Sequence, residues 1–418
     1  MKAEASPSGR LIAALRTRLL QRLEQPWTDA SYACGAAGQL LCLAALDARA
    51  APDTRIAADW MAEALMRLLE LLPRYPHGLF QGAQGLLFAA LELDRAYGLG
   101  MAEDAAQEAD EHLLDGLRHD RDLPEHFDVI SGLAGLLVYA AYRERQGSRL
   151  PLVAACLARL SSRATRVQTA AGEEVFWFTP PAWIRGFPMG DAHPTGCTDL
   201  GLAHGQAGVL AALAFALASG RSGQGEARGL LHGALRHLRR HESQDGRSHF
   251  GAAVEAPGLT RCAWCYGDLG TAAALQLSAL ALDEPALEAW AQRLLQTLSQ
   301  RPLLGLGFVD AWLCHGSVGS AWLLRQLAPG QEELAGRFEQ CHPLDGEAGL
   351  LTLLEQDPDP NLSLLEGYAG LALVLAEQGS GPLALPWSLP FLAGQRALWI
   401  GDARAWDPAV AEPDTAMT

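Results

Sequence analysis

Cysteine and histidine are the side chains here best suited to hold a soft metal ion, and two short stretches concentrate them: Trp264-Cys265-Tyr266-Gly267 and Cys314-His315-Gly316. The two cysteines lie about 49 residues apart, too far for one local finger loop to bridge. Cys265, Cys314 and His315 would give a zinc ion three protein ligands and leave the fourth tetrahedral position open, as catalytic zinc requires. Two thiolates cancel the charge of the ion, so an incoming thiolate stays electron-rich. Such a set suits alkylation of sulfur better than activation of water, which uses more nitrogen ligands. Zinc also keeps a thiol ionised near neutral pH, where a free cysteine of pKa about 8.5 is mostly protonated. One zinc per chain is expected.

Elements must bring these stretches together, and a repeat supplies them. A Gly-x-x-Gly element leading into an apolar helical stretch recurs in seven places, with first glycines at Gly35, Gly82, Gly132, Gly205, Gly267, Gly316 and Gly367. The successive gaps are 47, 50, 73, 62, 49 and 51 residues, and a period near 50 marks a repeat architecture. Ahead of most elements lies a more charged, amphipathic pattern: Leu11 to Gln25, Ile56 to Leu72, Ala227 to Arg240 and Pro285 to Gln300. Each unit is predicted to be an outer amphipathic helix, a loop, and an inner apolar helix starting at the glycines. Helices apolar all round must be buried. An open superhelix would expose a face of them, so the fold class predicted is all-α, a closed α/α toroid of seven helical hairpins.

Residues 10–400 are predicted to form this one domain, with an irregular insert at about 168–200 and flexible tails at 1–9 and 402–418. The insert carries Phe176, Trp177, Phe178, Trp183 and the Pro180-Pro181 pair. It reads either as a packed hairpin or as a rim element that admits and holds a substrate. The other long gap holds Glu242 to Leu259.

In a closed ring the residues just before each Gly-x-x-Gly share one end. They are Cys34, Gln81, Ser131, His204, Tyr266, His315 and Glu366, a row rich in polar and titratable types. The ring also sets units five and six side by side, with Cys265 opposite Cys314. Cys262 completes a Cys-x-x-Cys with Cys265, a redox or alternative metal pair by spacing, but the repeat does not place it opposite Cys314. Cys341-His342 repeats the dipeptide without its glycine. Cys34, Cys42, Cys156 and Cys197 read as core or loop thiols.

Composition narrows the classes. Hydrophobic residues make up 49% and charged residues 19% of the 418, so a large core can form. A net charge of −16 argues against a nucleic-acid partner and favours neutral or basic peptides. Lys2 is the one lysine, which removes Schiff-base and P-loop chemistry. No apolar run reaches the roughly 20 residues of a membrane span, and MKAEASPSGR lacks the apolar core of a signal peptide. A cytoplasmic protein is expected.

Gly201-Leu-Ala-His204-Gly205, Trp264-Cys265-Tyr266-Gly267 and Cys314-His315-Gly316, in that order, resemble the motifs of the lanthionine synthetase C family, the LanC-like cyclases. The resemblance runs from about residue 30 to 378. It implies an α/α toroid with zinc on Cys265, Cys314 and His315, and intramolecular addition of cysteine to dehydroalanine or dehydrobutyrine, which closes thioether rings. It puts His204 on the family's catalytic histidine, Asp128 on its acidic residue, and Arg261 and Tyr266 on two further active-site positions. One departure stands at Leu269, where the family usually has proline. The implied partners are a dehydrated precursor peptide, a lanthipeptide dehydratase and an exporter. Gly35 already lies in the first repeat, leaving no room upstream for the dehydratase domain of the family's two-function members.

Bland roles stand beside these. His204 is equally the type to make a structural hydrogen bond, Asp128 to cap a helix, Arg261 to neutralise a carboxylate, and Tyr266 to pack. A binding or adaptor protein holding glutathione or another small thiol is the rival class. A toroid glycosidase is a third, but the pre-glycine row offers it Glu366 and, farther off, Asp128, where two carboxylates must face one another.

Overall fold

The structure is a computed structural model of the full chain, and residues 7–50, 54–219, 222–243, 246–341 and 346–393 are described. Inner helices follow the glycine pairs as predicted: α2 (Ala36–Asp47), α4 (Ala83–Tyr97), α6 (Leu133–Arg145), α10 (Gln206–Ser219), α12 (Asp268–Leu282), α14 (Ser317–Leu327) and α17 (Tyr368–Ser380). Every residue of α2 is buried, as is Gln206–Leu217 of α10. Outer helices are α1 (Pro7–Glu24), α3 (Ala58–Leu71), α5 (Glu103–His119), α7 (Leu152–Ser162), α11 (Gln224–Arg240), α13 (Pro285–Gln300), α15 (Glu332–Gln340) and α16 (Gly346–Gln356). They bury one stripe each. In α3 it is Met61, Ala64, Leu65 and Leu68, the spacing of a single helix face, where each large side chain contributes about 1.5–3 kcal/mol.

The ring closes. Each inner helix packs on the next, and α17 packs on α2. One end is laced by main-chain hydrogen bonds between the residues two places before each glycine pair, or their immediate neighbours. Ala33 N donates to Phe80 O (2.9 Å), Phe80 N to Ile130 O (3.1 Å) and Val129 N to Ala203 O (3.3 Å). The lacing continues from Ala203 N to Cys265 O (3.3 Å), Cys265 N to Cys314 O (3.4 Å), Cys314 N to Leu365 O (3.0 Å), and Leu365 N back to Ala33 O (3.0 Å).

The glycine pairs make this lacing possible. A Cβ on Gly85 would lie 1.9 Å from Leu79 O, and one on Gly208 2.0 Å from Leu202 O, so alanine there clashes with main chain. The pre-glycine loop turns back over the helix start, and its carbonyls take the amides that lack a partner at a helix N-terminus. Leu133 N and Ala134 N, for example, donate to His126 O and Phe127 O.

The structure adds detail at both ends and in the insert. Helix α1 starts at Pro7, so residues 7–9 are helical and not tail, while 1–6 and 402–418 lie outside the described residues. The insert is ordered: β1 (Thr165–Thr169) and β2 (Gly172–Phe176) form an antiparallel hairpin, followed by short helices α8 (Pro181–Ile184) and α9 (Pro188–Ala192). Trp177 is fully buried, Phe176 stacks on His237, and Trp183 stacks on His126. Of the four aromatics, only Phe178 is exposed. Finally, the segment after α17 runs into the barrel. Phe391 packs edge-on against Trp264 and Phe80, each 5.2 Å away between ring centres, and accepts a hydrogen bond from the Trp264 indole at 2.7 Å. Tyr32 caps Trp387 O. These residues fill the space inside the laced end. Among the described residues, no helix is long and apolar enough to cross a membrane.

Candidate metal and proton-transfer centre

The lacing places two of the proposed ligands. Cys265 and Cys314 are consecutive members of the ring, joined main chain to main chain, so their side chains emerge next to each other at one end of the barrel. His315 follows Cys314 directly. One donor atom from each of Cys265, Cys314 and His315 lies within 4.8 Å of the other two. Both thiols are buried, and His315 is partly so. Cys262 is fully buried and its carbonyl accepts from Ser320. It does not belong to the cluster.

The donor chemistry fits zinc. His315 Nε2 is held at 3.0 Å by Asp310 Oδ2, the carboxylate-to-imidazole contact that fixes the ring of a metal-binding histidine, and its Nδ1 faces Glu366 Oε1 at 3.7 Å. Asp310 first, then Cys265, raise the His315 pKa to about 10. The hydrogen bond from Cys314, then the histidine, with Arg261 adding to them, lower that of Cys265 against burial. The same bond raises that of Cys314. One thiol of the pair, Cys265, is thus favoured as thiolate, with Cys314 hydrogen-bonded to it.

Next along the row, His204 Nδ1 meets Asp128 Oδ2 at 2.7 Å. Burial alone would lower the His204 pKa, but the Asp128 bond and charge, with Asp199 and Cys265, raise it. Asp128 Oδ1 also takes the Ser131 amide at 2.7 Å, a bond in the loop ahead of α6 and not a cap, since the helix starts at Leu133 with no side-chain cap. Tyr266 donates to Asp199 Oδ2 at 2.6 Å. Burial first, then Asp199, raise the Tyr266 pKa, so it remains a neutral phenol. Arg261 is exposed at the mouth and lies beside Gly307. All seven sequence-derived residues therefore sit at the same end of the barrel.

Two carboxylates escaped the sequence reading. Asp199 and Asp310 both stand six residues before a glycine pair, as do Asp29 and Asn361. In each case one side-chain oxygen takes the amide two residues on, a local turn that shapes the loop. In units four and six the other oxygen reaches Tyr266 and His315. Burial first raises Asp199 to about 6. The recurring Asp or Asn at this offset was visible; the use of its second oxygen was not.

The rim beside Arg261 carries exposed Leu259, Leu304 and Val309, and the insert adds Phe178 and Phe187. A cleft of about 210 Å³ opens at this end between units two and three, lined by His77, Gln81, Asp122 and Ser131. A larger cavity of about 420 Å³ lies by the C-terminal ends of α12 and α14, against Leu392 and Ala393. None of the titratable groups above lines it, so it is apart from the chemistry.

A profile of lanthionine synthetase C-like proteins matches residues 26–388. The nisin biosynthesis protein NisC of Lactococcus lactis subsp. lactis is 24% identical over 302 residues, 69% of this chain and 68% of that protein. A solved structure of nisin cyclase aligns with a TM-score of 0.71 at 20% identity, covering 91% of this chain and 96% of the other. With the motifs, the closed seven-unit ring and a profile match spanning nearly the whole ring, the chain belongs to the lanthionine synthetase C-like family.

Proposed function

We propose that the chain is a zinc-dependent lanthipeptide cyclase, which adds cysteine thiols of a peptide to its dehydroalanine or dehydrobutyrine residues and closes (methyl)lanthionine rings. The observation that carries this reading is the meeting of Cys265, Cys314 and His315 with the His204–Asp128 pair at one end of the barrel. Zinc held by the three ligands would bind the substrate cysteine as a thiolate and keep it nucleophilic. Attack on the β-carbon leaves an enolate. His204, held protonated by Asp128, gives its proton to the α-carbon. Arg261 would steady the developing negative charge, while Tyr266, whose hydroxyl donates to Asp199, would line the site beside the reacting atoms. Asp310 orients His315. Leu259, Leu304, Val309, Phe178 and Phe187 offer the peptide an apolar rim. A precursor peptide dehydrated beforehand is the substrate. In this reading the protein would act in the cytoplasm, with a dehydratase and an exporter as partners.

The test is incubation of the zinc-loaded protein with a dehydrated precursor. Free thiols should disappear one for each ring, with the peptide mass unchanged, because addition is mass-neutral. A thiol count that stays constant would reject the cyclase and leave the glutathione-binding reading.

A further inference from the structure

A second cluster lies away from the barrel mouth, where the β1–β2 hairpin crosses α11. His237, in the last turn of α11, and His241, its C-cap residue four places on, stand on the same side of the helix end, with ring centres 4.6 Å apart. Glu174 reaches them from β2, and one donor atom of each of the three residues lies within 4.8 Å of the others. Glu174 is only 4% exposed and His237 5%. His237 Nδ1 faces Glu174 Oε2 at 3.3 Å, and Phe176 covers the ring, stacked at 4.4 Å. The other nitrogen of the ring, Nε2, is buried with no hydrogen-bond partner. A buried polar atom left so is uncommon and calls for an occupant. Arg240 holds the same carboxylate from the solvent side at 3.3 Å.

We propose that Glu174, His237 and His241 form a second metal site, for a divalent first-row transition ion, that pins the insert hairpin to α11. An ion would take the place of the proton shared by His237 Nδ1 and the Glu174 carboxylate, so that both act as its ligands beside His241. Two imidazoles and a carboxylate suit zinc, nickel or copper, whereas magnesium and calcium prefer all-oxygen sets. Histidines at i and i+4 of one helix chelate a single ion. His241, the partly exposed member, can turn to bring its nitrogen to the roughly 2.0–2.1 Å of a metal bond. The site is structural and has a bearing on the catalytic end. Just past β2, Trp177 exchanges two hydrogen bonds with the Gln206 side chain, N to Oε1 at 3.2 Å and O from Nε2 at 2.7 Å. Gln206 is two residues from His204, so an ion at the hairpin braces the strap that leads into the His204 loop.

The test uses zinc alone as the probe. A full-length Cys265→Ala/Cys314→Ala chain lacks the thiol set and should still retain about one zinc after dialysis. Adding His241→Ala should remove it, and Glu174→Gln should weaken binding about 10–100-fold. Retention of no zinc by the thiol-free chain, or unchanged binding after His241→Ala, overturns the proposal. If the thiol-free chain does not fold by circular dichroism, cobalt titration of the wild-type chain decides. A thiolate set gives intense near-ultraviolet charge-transfer bands, while the histidine–carboxylate set gives only weak visible bands. Weak bands that persist after the intense ones saturate, and that His241→Ala abolishes, support the site. Saturation at a single thiolate-type equivalent overturns it. Because the two spectra differ, failure of the thiol site would not be mistaken for failure of this one.

Discussion

Two arcs of the laced ring share a backbone and differ in what they can do. In units one to three the ring residues are Ala33, Phe80 and Ile130, all buried, and the next residues are Cys34, Gln81 and Ser131. In units four to seven the ring holds Ala203, Cys265, Cys314 and Leu365, followed by His204, Tyr266, His315 and Glu366. The hydrogen-bonded frame is the same, and so are the glycine contacts. The first arc spends its inward positions on packing: Phe80 and Tyr32 hold Phe391. The second places donors there. Two side-chain positions per unit, on a constant main chain, separate a structural arc from a chemical one. Asp128 is the one contribution from the first arc to the chemistry, reaching across from unit three to His204.

The contrast breaks most sharply at Cys314. Cys314→Ala keeps the ring, because its lacing bonds are main chain, but should reduce bound zinc at the thiol set from about one ion to none and drop cyclisation to background. Elemental analysis reads the first as a fall of one zinc per chain relative to the unchanged protein, and thiol counting reads the second. Full zinc occupancy of the thiol set after this change would mean that the two arcs do not differ as described.

His204→Asn tests the other half of the chemical arc. Zinc content should stay as it was, and the ring-closing rate should fall about 10²–10⁴-fold, the range for loss of a positioned acid. A near-normal rate would remove His204 from proton transfer.

Asp128→Asn sharpens the link between the arcs. Asp128 raises the His204 pKa, and in the proposed mechanism His204 acts protonated, so the rate should decline as pH rises through that pKa. Without the carboxylate the raising influence is gone, and the alkaline limb of the pH–rate profile should move to lower pH, with a rate loss of about 10–100-fold at neutral pH. An alkaline limb that stays in place would show that Asp128 only shapes its loop through Ser131.

The smallest effect belongs to Cys34→Ser. Cys34 is an exposed thiol at the same end of the barrel, in the row position of His204 and His315, but on the structural arc. Zinc content and rate should remain within about twofold, as for surface changes away from special features. A loss of metal would put Cys34 among the ligands.

Much of this was legible in the sequence because the repeat fixes relative position. Once the glycine pairs are aligned, Cys265 and Cys314 must be neighbours, and apolar runs that bury every face read as inner helices without further help. The four outer helices given bounds were placed to within a few residues, as Pro285–Gln300 shows, while α5, α7, α15 and α16 were not placed. What escaped has no period. The Leu385 to Ala393 segment has no helical pattern, yet it fills the barrel through Trp387 and Phe391. Aromatics in the insert looked available for a peptide, but Trp177 is core because its indole finds Leu160 O. Glu174 and His237 are 63 residues apart, and no motif joins a strand carboxylate to a helix pair outside the repeat.

The seam of the ring lies between Leu364 and Leu365 and Ala33. A chain emerging from the ribosome makes the first unit early, yet its partner across the seam comes last but for the aromatic plug. Until then α2 and α17, apolar on all sides, lack a neighbour each. Contacts of such sequence separation form slowly, and the waiting intermediate is the state most exposed to aggregation. The three proposed ligands are complete in sequence once His315 has been made, but the second lacing bond of Cys314 waits for Leu365. With the zinc site proposed above, metal binding would be coupled to closing the ring, and zinc supplied during refolding should raise the yield of closed protein more than zinc added afterwards.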